Sequence, residues 1–416
     1  MAVLKAFRAF RPAKNYADKV AALPYDVMNS DEARKMAFGN PYSFLHVDKA
    51  EIDLPKTVDI YDEKVYQKAK ENLGKLISAD VLQQDETPCL YIYMQTWHGR
   101  TQTGLVGCTA VEDYLNSVIK KHEFTRADKE ADRIHHVDTL DANTGPIFLT
   151  YRGEAAVSAV LETWKDTHEP VYDFTANEVR QTVWVVDDEA VIANLTALFA
   201  EIPSLYIADG HHRAASAVKV AQKRRAEHPA YDGNEEFNFF LAVLFPAEEL
   251  QILDYNRLLL DWNGYTAETL LEKLRQAGFT VEKAAQSPYH PTEKHTFGLY
   301  LQNAWYKLAV SPDTVDESDP VKRLDVSILQ ERVIAPIFGI DDPRTDKRID
   351  FVGGIRGLSE LEHRVNSGEA KAAIAMFPTS PEELMSIADA GLVMPPKSTW
   401  FEPKLLSGLF IHFLSK

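Results

Sequence analysis

The sequence predicts an α/β (α+β) fold: a mixed-sheet core with large insertions, followed by a second α/β domain. Three observations support this. Residues 237–246, Phe-Asn-Phe-Phe-Leu-Ala-Val-Leu-Phe-Pro, form a nearly continuous apolar run, the pattern of a strand covered on both faces. Residues 205–221 read as strand, glycine turn and helix. In that helix Ala214, Ala217, Val218 and Ala221 recur at i, i+3, i+4 and i+7, a small-residue face suited to close packing on a sheet. From about Asp261 the pattern of helix, hairpin, helix and strands starts again, so we divide the chain into residues 1–260 and 261–416.

Length and composition agree with this division. A chain of 416 residues exceeds one ordinary core, at about 100–200 residues per domain. Hydrophobic residues make up 45% and charged residues 26%, an ordinary globular balance. The net charge of −17 favours solubility and disfavours nucleic acid as a partner. Cys89 and Cys108 stand in apolar runs without a CxxC or metal-ligand spacing, so two buried free thiols are expected. The N-terminus lacks the apolar stretch and cleavage site of a signal peptide, and no run reaches the roughly 18 apolar residues of a membrane span. A cytoplasmic protein with no membrane partner is expected; a homo-oligomer is left open.

In chain order, residues 3–10 read as a first strand and residues 21–27 as a short extended piece, Pro24 disfavouring helix at Leu23. Ser30 is read as the cap of a short helix that Asn40-Pro41 ends. Residues 43–47 look strand-like. Residues 58–78 form an amphipathic helix through Tyr61, Val65, Ala69, Leu73, Leu76 and Ile77. Residues 88–94 and 103–111 read as a hairpin around Trp97-His98-Gly99-Arg100. Residues 121–136 are mostly ionisable and carry no apolar stripe of normal width. Strands are expected at 147–151 and 182–186, and a helix at 188–202. In the second domain, helices are expected at 267–277, 325–334, 359–366 and 381–390. A hairpin is expected at 296–310, and strands near 350–354, 370–377 and 409–413.

Asp209-Gly210-His211-His212-Arg213 holds the densest reactive chemistry. A helix N-terminus offers unpaired N–H groups and a positive dipole end, which together attract anions. Gly210 permits a turn that brings backbone close to a ligand. Arg213 offers a fork for phosphate or carboxylate, and His211 and His212 can donate hydrogen bonds or move protons near neutrality. The competing view makes Asp209 a helix cap and the histidines structural. No transition-metal centre is assigned, because neither His135-His136 nor His211-His212 has the i, i+4 spacing that puts two ligands on one helix face. Mg²⁺ beside a nucleotide fits better, since it needs only one or two carboxylates.

Three further stretches are candidates. Glu123, Thr125 and Arg126 place a carboxylate, a hydroxyl and a guanidinium together, although an exposed charged helix would also explain the run. Asp26 follows Pro24-Tyr25 as a candidate base or metal ligand, against a capped-helix explanation. Lys397, Ser398 and Lys404 flank a rigid Pro395-Pro396 turn and could reach an anion, against a packed C-terminal loop.

Several motifs carry a resemblance. They are Arg11-Pro12, Pro24-Tyr25-Asp26-Val27, Asn40-Pro41-Tyr42-Ser43-Phe44-Leu45-His46-Val47, His122-Glu123-Phe124-Thr125, residues 208–215 and Pro395-Pro396-Lys397-Ser398-Thr399-Trp400-Phe401. On these the chain is identified as a member of a widespread prokaryotic family catalogued as a domain of unknown function. Its Gly210-to-Arg213 helix start is also similar to the Gly-x-x-Arg motif of the ParB/sulfiredoxin-like superfamily, which includes ParB-type CTPases, sulfiredoxin and free-serine kinases. That resemblance implies nucleotide phosphates on Gly210, His211, His212 and Arg213, with ATP, ADP or another nucleotide and Mg²⁺ as cofactors. It implies a phosphotransferase acting on a small hydroxylated metabolite. Asp26 or Glu123 would take the hydroxyl proton, Asp209 would join the catalytic set, and Thr125, Arg126 and Lys397 would assist binding. A nucleotide sensor without turnover and a metal-dependent hydrolase are the alternatives. Two departures stand out: Asp26 lies far upstream of the motif, and no cysteine falls within residues 209–213.

Overall fold

The apolar run that anchors the sequence reading becomes Phe239–Pro246, an inner strand of a nine-stranded mixed sheet in a computed structural model that describes residues 1–415. In chain order the strands of this sheet are Leu4–Lys5 (β1), Leu90–Trp97 (β2), Arg100–Ala110 (β3), Ile119–Lys120 (β4), Ile147–Tyr151 (β5), Tyr172–Ala176 (β6), Val179–Val186 (β7), Leu205–Asp209 (β8) and Phe239–Pro246 (β9). Their order across the sheet is β4-β8-β5-β9-β3-β2-β7-β6, with β1 also paired to β3. The β4–β8 and β5–β9 pairs are parallel and the other pairs antiparallel. The expected hairpin is β2–β3, closing over His98 and Gly99, both at positive φ.

Five longer helices accompany this sheet: Glu63–Ser78 (α1), Ala127–Leu140 (α2), Ala155–Thr167 (α3), Glu189–Ala200 (α4) and His211–Glu227 (α5). The small face of α5 (Ala214, Ala217, Val218, Ala221) joins Leu149, Ile207 and Leu244 of the sheet in one buried cluster. Leu161 and Trp164 of α3 and Leu195 and Phe199 of α4 belong to the same cluster. Small side chains let the α5 backbone lie close to the sheet, which fixes where its N-terminus opens. The charged run at 121–136 is mostly α2, which packs against both α1 and α5.

The second unit has a six-stranded antiparallel sheet of its own. Its strands are Tyr255–Leu259 (β10), Phe279–Lys283 (β11), Thr296–Leu301 (β12), Ala304–Val310 (β13), Ile349–Gly353 (β14) and Ala372–Ala375 (β15), in the order β11-β13-β12-β15-β10-β14. The mixed α/β class is as expected.

Several boundaries differ from the sequence reading. The first unit comprises Met1–Leu250 together with the segment from Pro403 onward, and the second is Gln251–Glu402. The division therefore falls before residue 260, and the C-terminal segment returns to the first unit. Residues 43–47 are not a strand: Leu45–Asp48 is a helical turn, started where the Ser43 hydroxyl accepts the Leu45 N–H. Asn29, rather than Ser30, caps Ser30–Ala37. Its side chain accepts from Asp31 and Glu32, while Glu32 accepts the Asn29 N–H. Helix α1 starts only after its Asp62 cap.

Candidate functional site

Strand β8 is paired regularly to β5 as far as Ile207, where the register shifts before Asp209. Bulges of this kind re-aim the side chain that follows them. The Asp209 carboxylate accepts the Gly210 N–H at 2.9 Å and lies 3.2 Å from the Lys404 ammonium. Its second oxygen is 3.9 Å from the Arg213 guanidinium. Burial would raise its pKa, but the charges of Lys404 and Arg213 outweigh that and hold it well below the usual carboxylate range.

Gly210 sits at φ 93° and starts α5 without a side-chain cap. A Cβ here would meet the Arg213 Nε at 3.0 Å, so the arginine folds back over the glycine. The Arg213 guanidinium donates to the Pro146 carbonyl, and its Nε has no partner. Both the conformation and the close approach require glycine.

The loop at residues 121–126 lies against this helix start. The Arg126 N–H donates to His212 Nε2 at 3.0 Å, so the His212 ring proton sits on Nδ1. Thr125 donates to Glu130 at 2.6 Å, and Glu130 also holds Lys219. The Arg126 guanidinium is turned outward to Asp128 at 2.9 Å. His122 and His211 are both buried, with ring centroids 4.5 Å apart in a T-shaped contact. The ligand-capable atoms of His122, Glu123 and His211 lie within 4.8 Å of one another. The spacing argument against a metal site missed this group because one histidine comes from the loop and the other from the helix.

A small cleft opens beside Arg213, lined among others by Tyr25, Arg133, His136, Thr144 and Ser407. Its chemistry comes from α2, which buries Glu130, Asp132, Arg133 and His136 as well as the apolar Val137 and Leu140. Arg133 pairs with Asp132 at 2.8 Å and lies 4.0 Å over the Tyr25 ring. Asp48 accepts from Thr144 at 2.8 Å and faces His136 at 3.5 Å. Burial pushes the His136 pKa down, and the neighbouring Arg133 pushes it further in the same direction.

Of the residues singled out from the sequence, Asp209, Gly210, His211, His212, Arg213, Glu123, Thr125 and Arg126 come together around this helix start. Asp26 is exposed on the turn next to the cleft-lining Tyr25, and its charge acts on both His212 and Arg213. Lys397 belongs to the second unit, with its ammonium 5.5 Å over the Tyr255 ring, and the Ser398 hydroxyl of the same turn donates to the Pro395 carbonyl. Lys404 takes the position facing Asp209. Asp48, Arg133, His136, Thr144 and Ser407 were not assigned to the site from the sequence. The available signal was ionisable residues recurring at i, i+3 and i+4 in a helix without apolar residues at those positions. Cys89 and Cys108 are buried free thiols.

Among solved structures, the chain is similar to a conserved hypothetical protein from Pyrococcus furiosus, at 13% identity and a TM-score of 0.36, covering 74% of this chain and 94% of that one. It is similar to a free serine kinase in complex with AMP, at 12% identity and a TM-score of 0.36, covering 72% and 86%. It is also similar to SbnI from Staphylococcus aureus, at 12% identity and a TM-score of 0.37, covering 73% and 85%. No curated protein matches the sequence. The pattern of the family described as "Protein of unknown function (DUF1015)" matches residues 4–327, and the chain belongs to that family.

Proposed function

We propose that this protein is a nucleotide-binding phosphotransferase that moves a phosphoryl group from ATP or ADP to the hydroxyl of a small metabolite. One observation carries the reading: an uncapped helix N-terminus at Gly210 opens beside a cleft that two guanidiniums, Arg133 and Arg213, line. Backbone N–H groups, a helix dipole and planar cations are what a polyphosphate needs.

The nucleotide phosphates would rest on Gly210, His211, His212 and Arg213, with Thr125 and Arg126 on the loop that His212 holds. Asp26 would take the hydroxyl proton as the acceptor oxygen bonds to phosphorus. The bridging P–O bond would break, its electrons leaving with the shortened nucleotide. Asp209 acts by position: strongly ionised and tied to Lys404 and Arg213, it is a poor base but a firm anchor. Mg²⁺ would accompany the phosphates and offset their charge. It needs only one or two protein carboxylates. Phosphoryl transfer is mostly positioning and electrostatics, so this set is sufficient in kind.

The test is to incubate the purified protein with ATP or ADP, Mg²⁺ and a panel of hydroxylated metabolites, and to follow nucleotide consumption. Consumption that depends on an acceptor, and that Asp26→Asn abolishes while nucleotide binding persists, supports the reading. Binding without consumption across the panel would make the protein a sensor and overturn the phosphotransferase.

A further inference from the structure

We infer that His122, Glu123 and His211 form a binding site for one divalent transition-metal ion of the Zn²⁺ type, distinct from any Mg²⁺ carried by a nucleotide. Two imidazoles and a carboxylate bring ligand atoms within 4.8 Å of one another. Such donors suit Zn²⁺, Fe²⁺ or Mn²⁺, whereas Mg²⁺ prefers oxygen alone. A Zn²⁺ ion bound at about 2.0–2.2 Å would draw these atoms somewhat closer together.

A second, independent observation concerns hydrogen bonding. Neither ring nitrogen of His122 makes a hydrogen bond of normal geometry, and Nε2 of His211 makes none either; the two residues are only 1% and 7% exposed. Buried polar atoms are rarely left unsatisfied. Two such rings facing each other next to a carboxylate call for a ligand that accepts lone pairs, and a cation does so.

Three protein ligands leave a coordination position open, as in catalytic rather than structural sites. The ion would sit at the first residue of α5, next to the phosphate turn. The inference does not depend on the phosphotransferase reading, because the ion is sought without nucleotide.

The experiment is calorimetric titration of the chelator-treated, untagged full-length protein with Zn²⁺, repeated with Co²⁺ while the visible absorption of the bound ion is recorded. One Zn²⁺ per chain is expected, with a tetrahedral-type cobalt spectrum. His122→Gln and Glu123→Gln should each weaken binding at least tenfold, and the control His135→Gln should leave it unchanged. Circular dichroism identifies any variant that has unfolded; partly exposed Glu123 serves as the second variant should His122→Gln fail to fold. No stoichiometric binding by the wild-type chain, or wild-type affinity in folded Glu123→Gln, would overturn the proposal. Nucleotide-induced stabilisation measured on the same metal-free protein reports separately on the phosphate site.

Discussion

Lys404 and His122 show how single residues set the state of the site. Lys404 holds the Asp209 carboxylate at 3.2 Å, and Asp209 in turn accepts the Gly210 N–H. Lys404→Met leaves a largely enclosed carboxylate without its ammonium. It is expected to cost about 1–3 kcal/mol in urea unfolding at pH 7; an unchanged midpoint would show that the pair is incidental. For His122 the sign follows from linkage. Its pKa is about 4 in the fold against 6.5 unperturbed, so the unfolded chain binds more protons between those values. Stability therefore rises with pH across that window and is fully present above about 6.5. At about 1.4 kcal/mol per pKa unit, roughly 3 kcal/mol depends on this ring. Between pH 7 and pH 4.5, His122→Gln should lose less stability than the wild type; an equal loss would contradict a buried neutral imidazole.

The elements place these residues, and the turn between β8 and α5 does most of the placing. Gly210→Ala must hold an L-residue at φ 93° with its Cβ 3.0 Å from Arg213 Nε. The expected cost is about 1–2 kcal/mol, together with loss of phosphate-dependent stabilisation as Arg213 is displaced. Retention of both would show that the turn tolerates a side chain and is not a close-approach site. This turn was legible in the sequence because its chemistry is contiguous: an apolar strand, Asp-Gly, two histidines, an arginine and a small-faced helix. Helix α2 was less legible, since it buries Glu130, Asp132, Arg133 and His136 where apolar periodicity would normally mark a core face. The His122–His211 contact was not legible at all, because spacing rules see only ligands on one element.

At the scale of the molecule, the class was readable from alternating strand and helix patterns, but the boundary between the units was not. The first unit is interrupted and then resumed, and nothing local distinguishes Lys397 from Lys404. Only the pairing of Gln251–Leu253 with Trp400–Glu402 shows where the second unit begins and ends. The resumed segment is integral to the first: Ile411 and Phe10 exchange backbone hydrogen bonds, as do Ser407 and Ala22. Replacing residues 251–402 with a short Gly-Ser linker should therefore leave a cooperative thermal unfolding transition by circular dichroism. Stopping the chain after residue 402 should abolish it, and equal folding of the two would contradict an interrupted first unit. The most direct test of the phosphate turn is calorimetric titration of ATP or ADP with Mg²⁺ into the wild type and Arg213→Ala. One nucleotide should bind per wild-type chain, with affinity reduced at least tenfold in the folded variant, about 1.4 kcal/mol. Equal affinity in the two, or no binding by the wild type, would contradict it.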